Sequence, residues 1–383
     1  MFRCSFDATF LSVSSLELAT ELAVLPHTIA ARVRIVIEHG RIATIDTERP
    51  SPNARFVAGT LLPGLVDLQV NGGGGSSCAE ATPAALATVA RAVLDGGAVA
   101  FLPTLITTPW DQLLAQVAAT ASWIESQPDA GATPLGMHVE GPFLEVAGAH
   151  DRTALLEPSL PRIEALLQAA RGHLRLLTLA SSRPGAAAAV ARLRQAGVTV
   201  ALGHVAQTDG FAACVDAGAA MATHLFNAMG PLHHRQPGIA GLSLDEDRLA
   251  CGLIADGVHV HPAMLRNAYR VLGPDRTVLV SDSTAAMGMP DGIYQLANES
   301  VQSSDGVVRD RNGNLAGSAL TMARAAQNFL LMVPMAGSFA LARAAATNPA
   351  ALVGANEFGA IAVGKRAAFA VLADDGSVRA LRC

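Results

Sequence analysis

Lysine is all but missing from this chain: Lys365 is the only one in 383 residues. A Schiff-base lysine in the middle of the chain is therefore excluded, and aldolase-type chemistry with it. Basic residues are a minority, 27 Lys+Arg against 32 Asp+Glu. A net charge of −5 leaves no basic footprint for nucleic acid. Charged residues make up only 15% of the chain while hydrophobic ones reach 51%, which excludes disorder and favours elements buried on both faces. Every apolar stretch is interrupted by Arg, Asp, Gln or His before the roughly 18 residues a membrane span needs. The sequence thus reads as soluble, with no membrane partner. The N-terminus also lacks a secretory pattern, because Arg3 is followed by Asp7, and Glu17 and Glu21 break the apolar stretch. Cysteine is sparse. Cys4, Cys78, Cys214, Cys251 and Cys383 are odd in number, far apart and without CxxC spacing, so free thiols in a reducing cytoplasm are expected rather than disulfides or a thiolate metal site.

What the chain does have is alternation. The length suits one large domain, alone or with a small one. Eight β-rich runs, at 65–71, 98–107, 135–143, 175–181, 198–205, 221–227, 249–259 and 277–284, are separated by Ala/Leu-rich helical stretches. Thr82-Pro83 and Thr108-Pro109 supply a cap and a proline at helix starts, and Gly96-Gly97 a stop. Eight strand–helix alternations predict a (β/α)₈ barrel over 63–357. The ends differ: residues 31–47 alternate around His39-Gly40, and 360–381 alternate with turns at Gly364-Lys365 and Asp375-Gly376. Neither end can bury a sheet alone, so 1–62 and 358–383 are expected to pair as one small β-sandwich domain. Residues 290–318 read as a long excursion after the eighth strand.

A barrel of this kind carries its active site at the C-terminal ends of its strands, and polar residues gather there. The first run ends Gln69-Val70-Asn71, and the third carries His138-Val139-Glu140. The fifth ends at His204, the sixth has His224 and Asn227, the seventh runs Asp256-Gly257-Val258-His259, and the eighth has Asp282. A carboxylate and two imidazoles from three strands supply the ligands a catalytic zinc takes, with one position left for water. Asp282, from a fourth, can take a proton from that water. Each residue has a plainer reading. A single buried histidine is usually a hydrogen-bonded core residue, and Asp282 among Ser and Thr fits a helix cap. A buried Glu140 is harder to explain without a cation or strong donors. The coincidence of four such residues at converging strand ends favours the metal site.

The motifs LLPGLVDLQVNGGGG (61–75), GMHVEGPFL (136–144), LGHVAQT (202–208), THLFNAMGPLHHRQPG (223–238), DGVHV (256–260), VLVSDSTAAMGMPDG (278–292) and LAGSALTM (315–322) closely resemble the N-acetylglucosamine-6-phosphate deacetylases of the amidohydrolase superfamily. The resemblance extends to the closing GAIAVGKRAAFAVL (359–372). It implies Glu140, His204 and His224 as metal ligands and Asp282 as general base, then acid. It further implies substrate contacts from Asp256, Gly257, Val258 and His259, from Ala149 and His150, from Asn227 and Ala228, and from Leu315, Ala316 and Gly317. Arg235 matches a phosphate-binding arginine that, in the family, reaches the neighbouring subunit of a dimer, so a homodimer is expected. Read alone, Arg235 is a surface arginine in a His/Pro-rich loop, and His233 and His234 beside it are exposed loop residues.

Many amidohydrolases start with His-x-His on the first strand, binding a second metal. Gln69 and Asn71 are neutral amides and poor transition-metal ligands, so one divalent metal per chain is expected, zinc first, with iron, cobalt or manganese as alternatives. The Gly72–Gly75 run lacks the Lys-Ser/Thr of a phosphate loop and reads as a flexible turn. The expected reaction is metal-dependent hydrolysis of the acetamide of N-acetylglucosamine 6-phosphate. Its rivals are deacetylation of N-acetylgalactosamine 6-phosphate or of an acylamino acid and, outside enzymes, an oligomeric scaffold that would have lost these ligands.

Overall fold

A computed structural model of the chain describes residues 15–129 and 131–382. Arg3, Cys4, Asp7 and Cys383 lie outside the described residues. Strands Leu65–Val70, Ala98–Ile106, Met137–Glu140, Leu174–Leu179, Thr199–Leu202, Met221–Ala222, Ala250–Leu253 and Thr277–Leu279 pair in chain order as a parallel sheet. The ring is closed by a parallel bridge between Val70 and Ser283. Asn71 and Gly72 both donate their backbone N–H to Ser283 O, at 2.8 and 3.2 Å. One side chain also spans this seam. Asp67 Oδ1, in the first strand, accepts from the N–H groups of Gln69 and Ser281 at 3.2 Å each. Burial pushes the Asp67 carboxyl up to about 7. All eight expected runs are present, but the ordered ladders are shorter. Their last residues have already left the strand, which places His204, His224 and Asp282 on the loops just beyond.

The helix signals are partly corrected. Thr82 caps its helix by accepting from Ala85 N at 3.2 Å, with Pro83 in the first turn. Thr108 does not cap. Pro109 stands extended in front of the helix Trp110–Glu125, and the buried Thr108 hydroxyl instead donates to Gln116 Oε1 at 3.0 Å.

The chain ends build one six-stranded sheet. Ser15–Leu25 is an interior strand, parallel to Arg55–Pro63 and antiparallel to Thr28–Glu38, with Arg41–Asp46 at one edge and Ala368–Leu372 and Val378–Arg382 at the other. The turn at His39-Gly40 has positive φ at both residues, 51° and 72°, which suits a tight hairpin. The Gly364-Lys365 turn grips that hairpin: Gly364 N donates to Ile42 O and Ile42 N to Lys365 O, at 2.8 and 2.9 Å. Leu18, Ile35, Leu61 and Phe369 are fully buried in a core separate from that of the barrel.

Two local expectations change. The 290–318 excursion is a four-stranded antiparallel sheet, Gly292–Leu296, Glu299–Ser304, Val307–Arg309 and Leu315–Ser318. It packs Leu296, Val301, Val308 and Ala316 against Ile106 and Ala286. The glycine run is a packed hairpin rather than a flexible turn. Gly72 and Gly73 are buried and pair with Ser77 and Ser76. A Cβ at Gly72 would stand 2.5 Å from Ser76 O and 2.7 Å from Ala285 N, so the glycine is needed for close approach.

Because Phe369 fills the terminal-sheet core away from the barrel mouth, Phe369→Ala should destabilise the protein by about 3–5 kcal/mol. Denaturant titration measures this, and the turnover of the protein that remains folded should be unchanged.

Candidate active site

The loops beyond the strand ends enclose a cavity of about 270 Å³ lined by Asn71, Glu140, His150, His204, His224, His259 and Asp282. Ala149, Asn227, Ala228, Leu315 and Gly317 also line it. Leu315 and Gly317 come from the excursion sheet, as does Leu296, and Asn314 stands just before its last strand; the motifs flagged neither Leu296 nor Asn314. Ala316 turns the other way into that sheet's core. Asp256, Gly257 and Val258 do not line the cavity. The Asp256 carboxylate instead accepts from Val258 N and His259 N at 2.8 Å each and from His259 Nδ1 at 2.6 Å. Its part in this arrangement is to hold His259. Arg235 lies off this cavity, in a separate exposed groove with Gln207, Asp209, His233 and Gln236. His233 and His234 are exposed, their rings 4.2 Å apart.

At the cavity floor three donor atoms converge. Glu140 Oε1 is 3.1 Å from His224 Nε2 and 3.3 Å from His204 Nε2, and the two nitrogens are 3.1 Å apart. Three ligands at tetrahedral angles and zinc-like bond lengths of about 2.0–2.1 Å stand roughly 3.3 Å apart, so the trio fits one cation. Proton placement agrees. His204 Nδ1 is 2.8 Å from the carbonyl of Val146, which can only accept, so the lone pair of His204 is on Nε2, facing Glu140. Burial opposes charge on Glu140, but the neighbouring His204 and His224 imidazoles outweigh it and hold the carboxyl well below its usual range. Burial likewise opposes charge on His224, and Glu140 outweighs it, raising that imidazole.

His150 is a rival ligand, since Glu140, His150 and His204 also offer donor atoms within 4.8 Å of one another. The hydrogen bonds decide against it. Thr107 N donates to His150 Nδ1 at 3.2 Å, so the neutral ring carries its proton on Nε2, the atom 3.7 Å from Glu140 Oε2. Burial and the neighbouring His204 push His150 down to about 3. It is a neutral hydrogen-bond donor at the cavity wall. His138, by contrast, is a fully buried core residue, as its plain reading expects, and burial lowers it to about 4.

Asp282 is not a helix cap. Its Oδ1 accepts from Asn71 Nδ2 at 2.7 Å. Burial and the charge of Glu140 push it up to about 6. Gln69 does for Glu140 what Asn71 does for Asp282, donating to Oε1 at 3.0 Å. His204, His224 and Asp282 all have left-handed backbones, with φ of 51°, 27° and 50°. Strain of this kind costs about 1–3 kcal/mol per residue and concentrates at functional sites.

Known proteins share this arrangement of elements. The sequence pattern of the Amidohydrolase family matches residues 60–381. The chain is 35% identical to the N-acetylgalactosamine-6-phosphate deacetylase of Escherichia coli O157:H7, covering 88% of this chain and 89% of that one. It is 36% identical to the human N-acetylglucosamine-6-phosphate deacetylase, covering 91% and 86%. A mutant N-acetyl-D-glucosamine-6-phosphate deacetylase of Mycobacterium smegmatis, solved in complex with N-acetyl-D-glucosamine-6-phosphate, superposes with a TM-score of 0.91 at 33% identity, covering 96% and 98%. The chain belongs to the amidohydrolase family.

Proposed function

We propose that this protein hydrolyses the acetamide of N-acetylglucosamine 6-phosphate to glucosamine 6-phosphate and acetate. The observation that carries this reading is the convergence of Glu140, His204 and His224 beside Asp282 at the mouth of an amidohydrolase barrel. The three ligands hold one divalent metal, zinc first, with iron, cobalt or manganese as alternatives. When bound, it supplies Lewis acidity toward water and the acetyl carbonyl. Asp282 performs the proton transfers. With Oδ1 held by Asn71, its other oxygen takes a proton from water as the water oxygen bonds to the carbonyl carbon. As the C–N bond breaks, Asp282 gives that proton to the sugar nitrogen. His150, its proton fixed on Nε2, donates toward the carbonyl oxygen. His259, oriented by Asp256, contacts the sugar together with the Asn227-Ala228 and Leu315–Gly317 segments.

Among the described residues, no arginine or lysine lines the cavity, yet a 6-phosphate dianion needs a cation. Arg235 of a second copy in a homodimer supplies it in this reading, and its exposed loop is consistent with reaching outward. The remote phosphate then contributes binding that orients the amide. No helix among the described residues is long and apolar enough to cross a membrane, and the buried free thiols Cys78, Cys214 and Cys251 suit a cytoplasmic enzyme. The described residues within 1–62 and 358–383 form the small domain and those within 63–357 the catalytic one, a division supported by the separate core of the terminal sheet. The galacto epimer is a second reading, favoured by the Escherichia coli relative. Comparing kcat/KM on the two phosphosugars decides between them.

Acetate release from N-acetylglucosamine 6-phosphate tests the reaction. It should stop on removal of the metal by chelator and return with about one equivalent of zinc per chain. Two tightly held metals per chain would contradict the role given to Gln69 and Asn71.

Asp282→Asn keeps the shape but cannot accept a proton, so kcat should fall about 10²–10⁴-fold with metal content intact. The sign of the pH effect follows from the raised carboxyl. Asp282 is protonated, and inactive as a base, below about 6, so kcat/KM should fall as pH drops through that value. The variant should lack this acidic limb, and a folded, metal-loaded variant with normal turnover would overturn the mechanism.

Removing one charge-assisted contact costs roughly ten- to a hundred-fold. Arg235→Ala should therefore weaken the phosphosugar by about that factor and leave unphosphorylated N-acetylglucosamine little affected. Equal losses on both would remove Arg235 from the phosphate site.

A further inference from the structure

Directly under the donor trio, the barrel interior is hydrogen-bonded where such barrels ordinarily pack branched aliphatic side chains. Val70 N donates to Thr104 Oγ1 at 2.9 Å. Thr104 Oγ1 is 3.4 Å from His138 Nδ1, and His138 Nε2 is 2.9 Å from Thr178 Oγ1. The hydroxyls of Thr178 and Thr223 are 2.8 Å apart. Thr104, His138, Thr178 and Thr223 are at most 1% exposed. The chain of contacts therefore runs from the first strand across the second, third and fourth to the residue just beyond the sixth, inside the core.

It passes the end of the fifth strand because Gly203, the residue just beyond it, has no side chain. A Cβ there would stand 2.8 Å from Thr223 Cβ and 3.2 Å from Thr178 Cγ2. Its members also neighbour the site residues in sequence. Val70 lies between Gln69 and Asn71, and His138 precedes Glu140 by two. Gly203 immediately precedes His204, and Thr223 immediately precedes His224.

We propose that His138, Thr178 and Thr223 are positioning residues whose buried hydrogen-bond chain sets the spacing of Glu140, His204 and His224 before a metal binds. A buried polar chain in which every member is paired fixes geometry more tightly than apolar packing, which tolerates sliding. Thr178 ties the strand carrying Glu140 to Thr223, the residue next to His224, so the two ligands cannot drift apart independently. The proposal rests on the ligand assignment made above but not on the identity of the substrate.

The test compares Thr178→Val and Thr223→Val, which keep the side-chain shape and remove one hydroxyl each, with Thr178→Ser, which restores it. Zinc affinity is measured by chelator competition, ligand geometry by the visible absorption of the cobalt(II)-loaded protein, and stability by thermal unfolding of the metal-free protein. The valine variants should bind zinc about ten- to a hundred-fold more weakly and shift the cobalt bands, while the serine variant behaves like the parent. Should Thr178→Val fail to fold, Thr223→Val, which leaves His138 paired with Thr178, gives the same readout. Valine variants with parental zinc affinity and cobalt spectrum, whatever their melting temperature, overturn the proposal. A parent protein that binds no zinc overturns the ligand assignment itself and the positioning layer with it.

Discussion

Glu140 is a carboxylate only 2% exposed at the C-terminal end of its barrel strand, and the rest of the site answers to it. Stripping an ion of water costs several kcal/mol even after the protein relaxes, so a bare carboxylate here would be untenable. Gln69 contributes one donor, and two imidazoles face the same oxygen. Two ring nitrogens and a carboxylate oxygen all within 3.3 Å are themselves a surplus of lone pairs, which a divalent cation resolves. Bringing the imidazoles inward also requires the left-handed turns at His204 and His224. Their strain is offset by the packed loops around them, where Val146 O holds one ring and Gly203 leaves room below.

The parts of this arrangement that repeat were legible in the sequence. Eight apolar runs imply eight strands because both sheet faces are buried, and a barrel makes their C-terminal ends converge. Glu140, His204, His224 and Asp282 were therefore recognisable as neighbours although up to 142 positions separate them. What stayed hidden depends on which atom faces which. The turn Pro26-His27 after 15–25 marks only the antiparallel pairing, and the parallel partner lies beyond two intervening strands. The excursion at 290–318 is rich in Gly, Asp and Ser, a loop composition that four short strands share. Thr108 beside Pro109 has the pattern of a cap, but one residue of extended backbone sends its hydroxyl to Gln116. The pairing of Thr178 with Thr223 depends on a glycine, Gly203, just past the end of the strand between them.

Gln69 and Asn71 have a clearer meaning in three dimensions than as missing histidines. An amide nitrogen has protons and no lone pair to give, so each residue acts as a donor to one of the two site carboxylates. The two carboxylates nevertheless end with opposite acidities. Glu140 faces His204 and His224, which together overcome burial and keep it ionised. Asp282 is buried near that negative charge, and both effects raise it; His224, His259 and the Asn71 amide restrain the rise, leaving it at about 6. A permanently charged carboxylate suits holding a cation, and one that titrates close to neutrality suits passing a proton in both directions. The same two amide substitutions that withdraw ligands from a second metal thus serve the division of labour at the first. Asn71 is the more consequential of the pair, because it holds the carboxylate that must give up its proton again once it has taken it.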